Sequence, residues 1–311
     1  MRLPARALLA SVMAALLLAI PAMARAGAAA RHRIVSLNLC TDQMLLLLVP
    51  PQDIAGLSPL ARDCAYSMLC DAARAVPTIR PTAEAVVAAR PDLVVGGNYT
   101  AMTALLAARQ AGLTVVQFAP AERLADIPGQ FRALAEAAGV PERGAALAGA
   151  FERRLAARPI ARPAAPGGGD PVAALYAANG FVTGTGTLAD DMLAHAGFRN
   201  FAATMGHRHA AYLPIEDLIA RPPDLLVLIR SETGTSLAQD LLDHPALRAA
   251  FPGAHRLSLP GRLWLCGLPQ TLDTLDRLAQ ARQALEHFAL EHVAGERPAP
   301  EYSDPAQEAG R

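Results

Sequence analysis

The chain has 311 residues, enough for two domains of ordinary size, and 52% of them are hydrophobic. Its 28 basic residues balance its 28 acidic ones, so no basic surface favours nucleic-acid binding. Lysine does not occur in the sequence. This excludes a lysine Schiff base, a Walker lysine and pyridoxal-phosphate chemistry.

Residues 1–26 have the composition of a secretory signal peptide. Arg2 and Arg6 precede an apolar run from Leu8 to Ile20, and residues 24–26 form a small-x-small cleavage motif. The run is too short for a typical membrane span. We therefore expect an exported mature chain that begins near Gly27. In a Gram-negative cell, its compartment would be the periplasm.

Short apolar strands alternate with helices through an N-terminal lobe, residues 27–140. This alternation predicts a parallel sheet covered by helices on both faces. Ligands of such sheets bind beyond the carboxyl ends of the strands. The predicted strands are Ile34–Leu37, Ile54–Leu57, Leu93–Val95 and Thr114–Phe118, and the predicted helices are Gln43–Val49, a segment through Leu105 and Ile127–Ala138.

Residues 141–158 are predicted to form one amphipathic helix that links two lobes. Leu147, Phe151 and Leu155 recur every four residues and therefore share one face. Pro159 would end the helix. A Pro/Gly-rich linker, residues 159–171, follows it.

A C-terminal lobe, residues 172–294, is predicted to repeat the strand–helix plan. The tail, residues 295–311, has no apolar face and is predicted to be disordered. The predicted elements of this lobe are strands at Val172–Tyr176, Leu225–Ile229 and His255–Leu259 and a closing helix at Thr271–His292.

One sequence motif occurs in both lobes. Glu84 precedes Asp92 by eight residues, and Glu216 precedes Asp224 by the same spacing. Each segment predicts a short helix, an Arg-Pro turn and an apolar strand, which indicates two related lobes. Each glutamate would lie in the first turn of its helix. There its negative charge either stabilises the helix through the helix dipole or forms an exposed contact site for a partner.

Several other motifs allow more than one interpretation. The residues from Gly184 to Ala189 imitate a dinucleotide fingerprint, but no acidic residue follows at the required distance. A turn before a helix that begins near Leu188 is the better interpretation. In an exported chain, Cys64 and Cys70 are close enough to form one disulfide. Cys40 and Cys266 could pair with each other, remain free or contact a ligand.

The order of these features resembles a known family. The export signal, the opening segment Arg33 to Leu37, the Glu-(x)7-Asp-Leu-Val phrase, the linking helix and the repeated plan resemble the helical-backbone (class III) periplasmic solute-binding proteins of ABC importers. This is the Fe/B12 family, and the resemblance is closest to its vitamin B12-binding branch. It implies an α/β fold of two Rossmann-like lobes joined by one long helix, with a ligand cleft between them.

The resemblance also implies a binding protein, not an enzyme, with no cofactor, and a monomer. It implies that Glu84 and Glu216 dock on an ABC permease dimer in the inner membrane. The cargo would be a metal chelate: a corrinoid such as cobalamin, a ferric siderophore or haem.

The ligand residues of the B12 binders are only partly matched, because this chain has a single tryptophan, Trp264. Aromatic stacking is expected from Tyr66, Tyr99 and Trp264, and orienting polar contacts from Asn38, Asp63 and Arg80. Two alternatives remain. One is a binder of bare Zn or Mn that uses His207 or His209. The other is an exported α/β hydrolase, for which no GxSxG motif is found.

Overall fold

The computed structural model describes residues 32–99, 101–158, 169–230 and 236–295. The predicted signal peptide, most of the Pro/Gly linker and the tail beyond residue 295 lie outside these ranges. Within the described ranges, no helix is both long and apolar enough to cross a membrane.

The first half of the chain builds a parallel sheet of four strands in the order β2-β1-β3-β4. Helices cover both faces, which is why an apolar run such as β3 is buried along its whole length. The sheet confirms the predicted alternation. Its strands are β1 (Ile34–Ser36), β2 (Ile54–Gly56), β3 (Leu93–Gly97) and β4 (Thr114–Phe118).

The second half builds another parallel sheet, in the order β10-β9-β5-β7. A short antiparallel ribbon, β6 with β8, accompanies it and was not predicted from the sequence. These strands are β5 (Val172–Ala177), β6 (Phe181–Thr183), β7 (Arg199–Asn200), β8 (Ala210–Tyr212), β9 (Leu225–Arg230) and β10 (Arg256–Pro260).

The helices complete each strand–helix–strand unit. Those of the first half are α1 (Leu39–Leu48), α2 (Cys70–Ala73), α3 (Ala83–Ala88), α4 (Met102–Gln110), α5 (Ile127–Ala137) and α6 (Pro141–Ala156). Those of the second half are α7 (Leu188–His195), α8 (Phe201–Thr204), α9 (Ile215–Ala220), α10 (Leu237–Asp240), α11 (Pro245–Ala250), α12 (Arg262–Leu265) and α13 (Thr271–Gly295). Single 3-10 turns lie at Pro51–Asp53, Pro59–Arg62, Leu124–Asp126, Ala178–Gly180, Leu241–Asp243 and Gly253–His255.

The start of α1 corrects one sequence prediction. The helix is predicted from Gln43, but it begins at Leu39. The reason is the cap: the Asn38 side chain accepts hydrogen bonds from the backbone N–H groups of Cys40 (2.9 Å) and Thr41 (3.4 Å). Two of the otherwise unpaired donors at the helix start are thereby satisfied.

One hydrophobic core extends through both sheets. Ile34 and Val95 of the first sheet belong to the same buried cluster as Leu175 and Val227 of the second. The helices α5, α6 and α13 contribute the apolar side chains between them, among them Phe131, Phe151 and Leu275. Leu147 and Leu155 pack against this cluster, so the apolar face predicted for α6 is confirmed. The two lobes thus share one core.

The close packing of α5 against α6 depends on Gly144, which is buried. A Cβ atom at this position would overlap the Cβ of Ala135 and lie 3.0 Å from the carbonyl oxygen of Phe131. We expect Gly144→Ala to destabilise the protein by about 1–3 kcal/mol, because the helices must move apart. Thermal or urea unfolding of the purified chain measures this change.

Gly149 on the same helix provides the control. A Cβ atom there would meet only the guanidinium end of Arg153, at 3.3 Å, which can move away. Gly149→Ala is therefore expected to be neutral or to stabilise by about 0.5–1 kcal/mol, the helix propensity difference. Equal destabilisation by both substitutions would contradict the packing argument.

Candidate ligand-binding cleft

A cavity of about 530 Å³ lies beyond the carboxyl ends of β5, β9 and β10. This is the edge at which parallel α/β sheets bind ligands. Most of its lining comes from the C-terminal lobe, and Ala65 and Tyr66 of the N-terminal lobe form the facing wall. The cavity therefore lies between the lobes, as the predicted fold requires.

Four aromatic side chains line the walls: Tyr66, Phe181, Tyr212 and Trp264. Trp264 and Leu265 of α12 lie on one side, and Phe181 and Tyr212 of the β6–β8 ribbon lie on another. The Phe181 and Tyr212 rings meet edge to face with their centroids 5.7 Å apart. Tyr212 keeps 68% of its surface exposed. Such a lining suits a large, flat and mostly apolar ligand.

Among the described residues that line the cavity, Arg230 is the only charged one. Asp243 holds its guanidinium through two hydrogen bonds, 2.8 Å from Nη1 and 2.7 Å from Nη2. The hydrogen bond from Arg230 lowers the pKa of the Asp243 carboxyl, so the pair is ionised at neutral pH. The guanidinium is thus fixed at the cavity wall as one half of an ion pair.

The loop that carries Tyr66 is braced in several ways. The predicted Cys64–Cys70 disulfide is present and closes the loop. The Asp63 carboxylate accepts a hydrogen bond from the backbone N–H of Ala65 (2.9 Å). From α1, the Gln43 side-chain oxygen accepts one from the backbone N–H of Met68 (2.7 Å). Tyr66 is consequently presented by a restrained loop and is 44% exposed.

The remaining two cysteines also pair. Cys40, in the first turn of α1, and Cys266, directly after α12, form a disulfide across 226 residues of sequence. The sequence left three alternatives open for these cysteines: a bond to each other, free thiols or contact with a ligand. The structure has the first, a disulfide between the two lobes. Trp264 and Leu265, which line the cavity, immediately precede Cys266.

Four of the six residues predicted to bind the ligand do not line the cavity. The side chains of Asn38 and Asp63 accept hydrogen bonds from nearby backbone N–H groups. Arg80 is exposed outside the cavity, and Tyr99 is 81% exposed. Only Tyr66 and Trp264 of the predicted set are brought together. His207 and His209, the residues of the bare-metal alternative, also lie outside the lining.

Sequence reasoning missed Phe181, Tyr212 and Arg230. Arg230 is the last residue of β9, so the strand-end rule could have identified it once that strand was predicted to reach it. Phe181 and Tyr212 lie on strands of three residues each, too short to show a hydrophobic period. Their pairing in the ribbon brings them to the cavity.

A buried carboxyl, Asp42, lies in the first turn of α1, two residues after Cys40. Burial raises its pKa to about 7, and hydrogen bonds involving Ser36 and Ser58 partly oppose that rise. The backbone N–H and the hydroxyl of Ser58 both donate to the carboxyl. The carboxyl ties α1 to the segment after β2 and becomes largely uncharged as the pH falls below neutral.

Glu84 and Glu216 occupy equivalent places in their lobes. Each is exposed in the first turn of a short helix, α3 and α9 respectively. The hydroxyl of Thr82 caps α3 by accepting from the backbone N–H of Ala85 (3.3 Å). Just before α9, the buried Tyr176 hydroxyl donates to the carbonyl oxygen of Leu213 (3.1 Å). Both carboxylates are therefore presented to solvent from fixed backbone.

Comparison with solved structures identifies similar folds. The periplasmic haem-binding protein RhuT from Roseiflexus sp. RS-1, in its apo form, is 26% identical over 82% of this chain and 99% of its own, with a TM-score of 0.68. A periplasmic haem-binding protein from Pseudomonas aeruginosa is 25% identical over 80% and 92%, with a TM-score of 0.64. The vitamin B12-binding protein BtuF of Vibrio cholerae shares the fold at 15% identity, over 82% and 98%, with a TM-score of 0.60.

No curated protein matches the sequence significantly. The sequence profile described as periplasmic binding protein matches residues 34–251, from β1 through α11. The two parallel α/β lobes are those of the class III periplasmic binding proteins. The chain therefore belongs to the periplasmic binding protein family of the Fe/B12 type.

Proposed function

We propose that the chain is the substrate-binding protein of an ABC importer, that it works in the periplasm, and that its cargo is haem. The observation that carries the proposal is the aromatic cavity with a tyrosine on each of two facing walls, Tyr66 and Tyr212. Membership of the family supports a role as a binding protein. The side chains that line the cavity favour one class of ligand over the others.

The size and polarity of the cavity favour a flat tetrapyrrole. Its volume, about 530 Å³, lies in the range of small-molecule sites. Its walls are mainly aliphatic and aromatic, which suits a porphyrin face. Arg230 supplies one fixed cation for a carboxylate at the ligand edge.

Ferric iron is a hard cation, and an anionic phenolate oxygen is a suitable ligand for it. Among the described lining residues, neither histidine, methionine, cysteine nor a carboxylate occurs. The phenols of Tyr66 and Tyr212 are then the strongest candidate donors. We assign the iron to Tyr66, because a disulfide-closed loop fixes its position, whereas the Tyr212 ring packs against Phe181.

The sequence identities support the same choice among chelates. Two of the similar haem-binding proteins are 25–26% identical to this chain, whereas the B12-binding protein is 15% identical, a level that supports the fold alone. A corrinoid and a ferric siderophore remain the comparison ligands for a direct test.

Titration of the purified protein with ferric haem, cobalamin and a ferric hydroxamate siderophore tests the cargo. The only tryptophan of the chain lies in the cavity wall, so we expect haem to quench its fluorescence saturably at one equivalent. Trp264→Phe should abolish the fluorescence signal, while haem binding remains visible by absorbance. Tighter binding of cobalamin or of the siderophore would contradict the choice of haem.

We propose further that Glu84 and Glu216 dock the loaded protein on the permease dimer. One exposed carboxylate per lobe, each at a helix start, suits a two-fold symmetric partner with one basic pocket in each subunit. Neither glutamate lines the cavity, so docking and cargo binding use different surfaces.

A further inference from the structure

We propose that the Cys40–Cys266 disulfide is a positioning element of the ligand cavity, so that the chain reaches its full affinity only after this bond has formed. The part of the proposal that concerns affinity rests on haem as the cargo. The part that concerns the cavity walls rests on the structure of the chain alone.

The bond links the two cavity walls through a short series of contacts. On one side, Cys266 directly follows Trp264 and Leu265, which line the cavity. On the other side, Cys40 lies in α1, whose Gln43 side chain accepts from the backbone of Met68 in the Tyr66 loop (2.7 Å). Gln43 is fully buried, which restrains its side chain. The disulfide therefore completes a connection from the Trp264 wall to the Tyr66 wall.

A second contact crosses the cleft at the same place. Arg262, at the start of α12, donates from Nη1 to the carbonyl oxygen of Cys64 (3.3 Å). Cys64 is also bonded to Cys70, so the loop that receives this hydrogen bond is itself closed. A single hydrogen bond of this length is weak. The covalent Cys40–Cys266 bond is thus a stronger direct link between the two walls than this hydrogen bond.

The shared core explains why this role is separable from folding. Ile34, Phe151 and Leu175 belong to one buried cluster that joins the lobes independently of the disulfide. Trp264 is only partly buried and packs against this cluster from α12, a helix of four residues. Loss of the bond should therefore leave the lobes associated and loosen the Trp264 segment, which is then no longer tied covalently to α1.

Formation of the bond depends on the compartment. Two cysteine thiols lose two electrons and two protons, and a disulfide of a thiol–disulfide oxidoreductase accepts them and becomes a dithiol. Thiols stay reduced in the cytosol, whereas disulfides form in exported proteins. The chain would therefore bind cargo weakly before export and tightly afterwards, which limits capture of cytosolic haem by newly made protein.

Two paired variants separate the disulfides. In Cys64→Ser/Cys70→Ser, the Cys40–Cys266 bond is the only one left. We expect reduction of this variant by a dithiol to weaken haem binding by at least about tenfold, a loss typical of groups that position a metal ligand. In the absence of reductant, the Cys40→Ser/Cys266→Ser variant should bind haem at least about tenfold more weakly than the unaltered chain. Equal haem affinity of the first variant with and without reductant would overturn the proposal.

A measurement without ligand distinguishes this proposal from the choice of cargo. We expect the bimolecular rate constant for acrylamide quenching of Trp264 to rise when the bond is reduced, while the far-ultraviolet circular dichroism stays constant. If this rate constant rises on reduction but the protein does not bind haem, the positioning role is supported and haem is the wrong cargo. An unchanged rate constant overturns the positioning role. Reduction of the folded protein provides this test even if the serine variant fails to fold.

Discussion

Tyr66→Phe is expected to weaken haem binding by at least about tenfold and to remove the phenolate-to-iron charge-transfer band. A single charge-assisted contact is worth about 1.5–3 kcal/mol, and about 1.4 kcal/mol corresponds to a factor of ten. The phenylalanine ring keeps the apolar contact, so the loss of affinity measures the contribution of the phenol oxygen alone. Absorbance titration and stopped-flow dissociation of the haem complex measure the two effects.

Two tyrosines serve as controls for this substitution. Tyr99→Phe changes an exposed ring outside the cavity and should leave the affinity and the spectrum unchanged. Tyr212→Phe keeps the ring contact with Phe181 and is expected to retain the charge-transfer band. Loss of the band in Tyr212→Phe, together with its retention in Tyr66→Phe, would assign the iron to the other wall.

The double variant Glu84→Ala/Glu216→Ala is expected to abolish transport by the reconstituted importer while its haem affinity stays normal. Two charge-assisted contacts are lost at about 1.5–3 kcal/mol each, which corresponds to at least about a hundredfold weaker docking. Each single variant should have an intermediate effect. Pull-down by the permease in nanodiscs and haem uptake into liposomes provide the measurements.

Glu142→Ala is the matched control for docking. Glu142 is also an exposed acid in the first turn of a helix, α6, but it belongs to neither repeated segment. Its removal should leave docking and uptake unchanged. If the double variant still transports at the normal rate, or if Glu142→Ala impairs uptake equally, the specific docking role of Glu84 and Glu216 is wrong.

The fold could be predicted because its signals are long or repeated. The apolar runs that became β3 and β9 and the linking helix each extend over several periods, and the phrase around Glu84 recurs around Glu216. The Cys64–Cys70 bond was predictable for a related reason, since Cys70 follows Cys64 by only six positions in the sequence. Local patterns determine local structure when they are long enough to exclude alternatives.

The site was predictable only in part, because its residues converge from distant segments. Tyr66 and Trp264 come from different lobes. Two of the polar residues predicted to bind the ligand instead form hydrogen bonds with the backbone. Asn38 caps α1, and Asp63 braces its own loop. Asx side chains that follow a strand can satisfy helix or turn N–H groups as readily as they bind ligands. The sequence alone does not distinguish these uses.

The core shared by the two sheets has a consequence for the lifetime of the protein. Exposure of Phe131, Phe151 and Leu275 would accompany the unfolding of either lobe, so neither lobe can open alone at low cost. Cleavage by proteases depends on the population of such opened forms when opening is fast. A carrier whose halves unfold together offers few partly open forms. We expect such cooperativity to slow degradation without a need for unusually high stability.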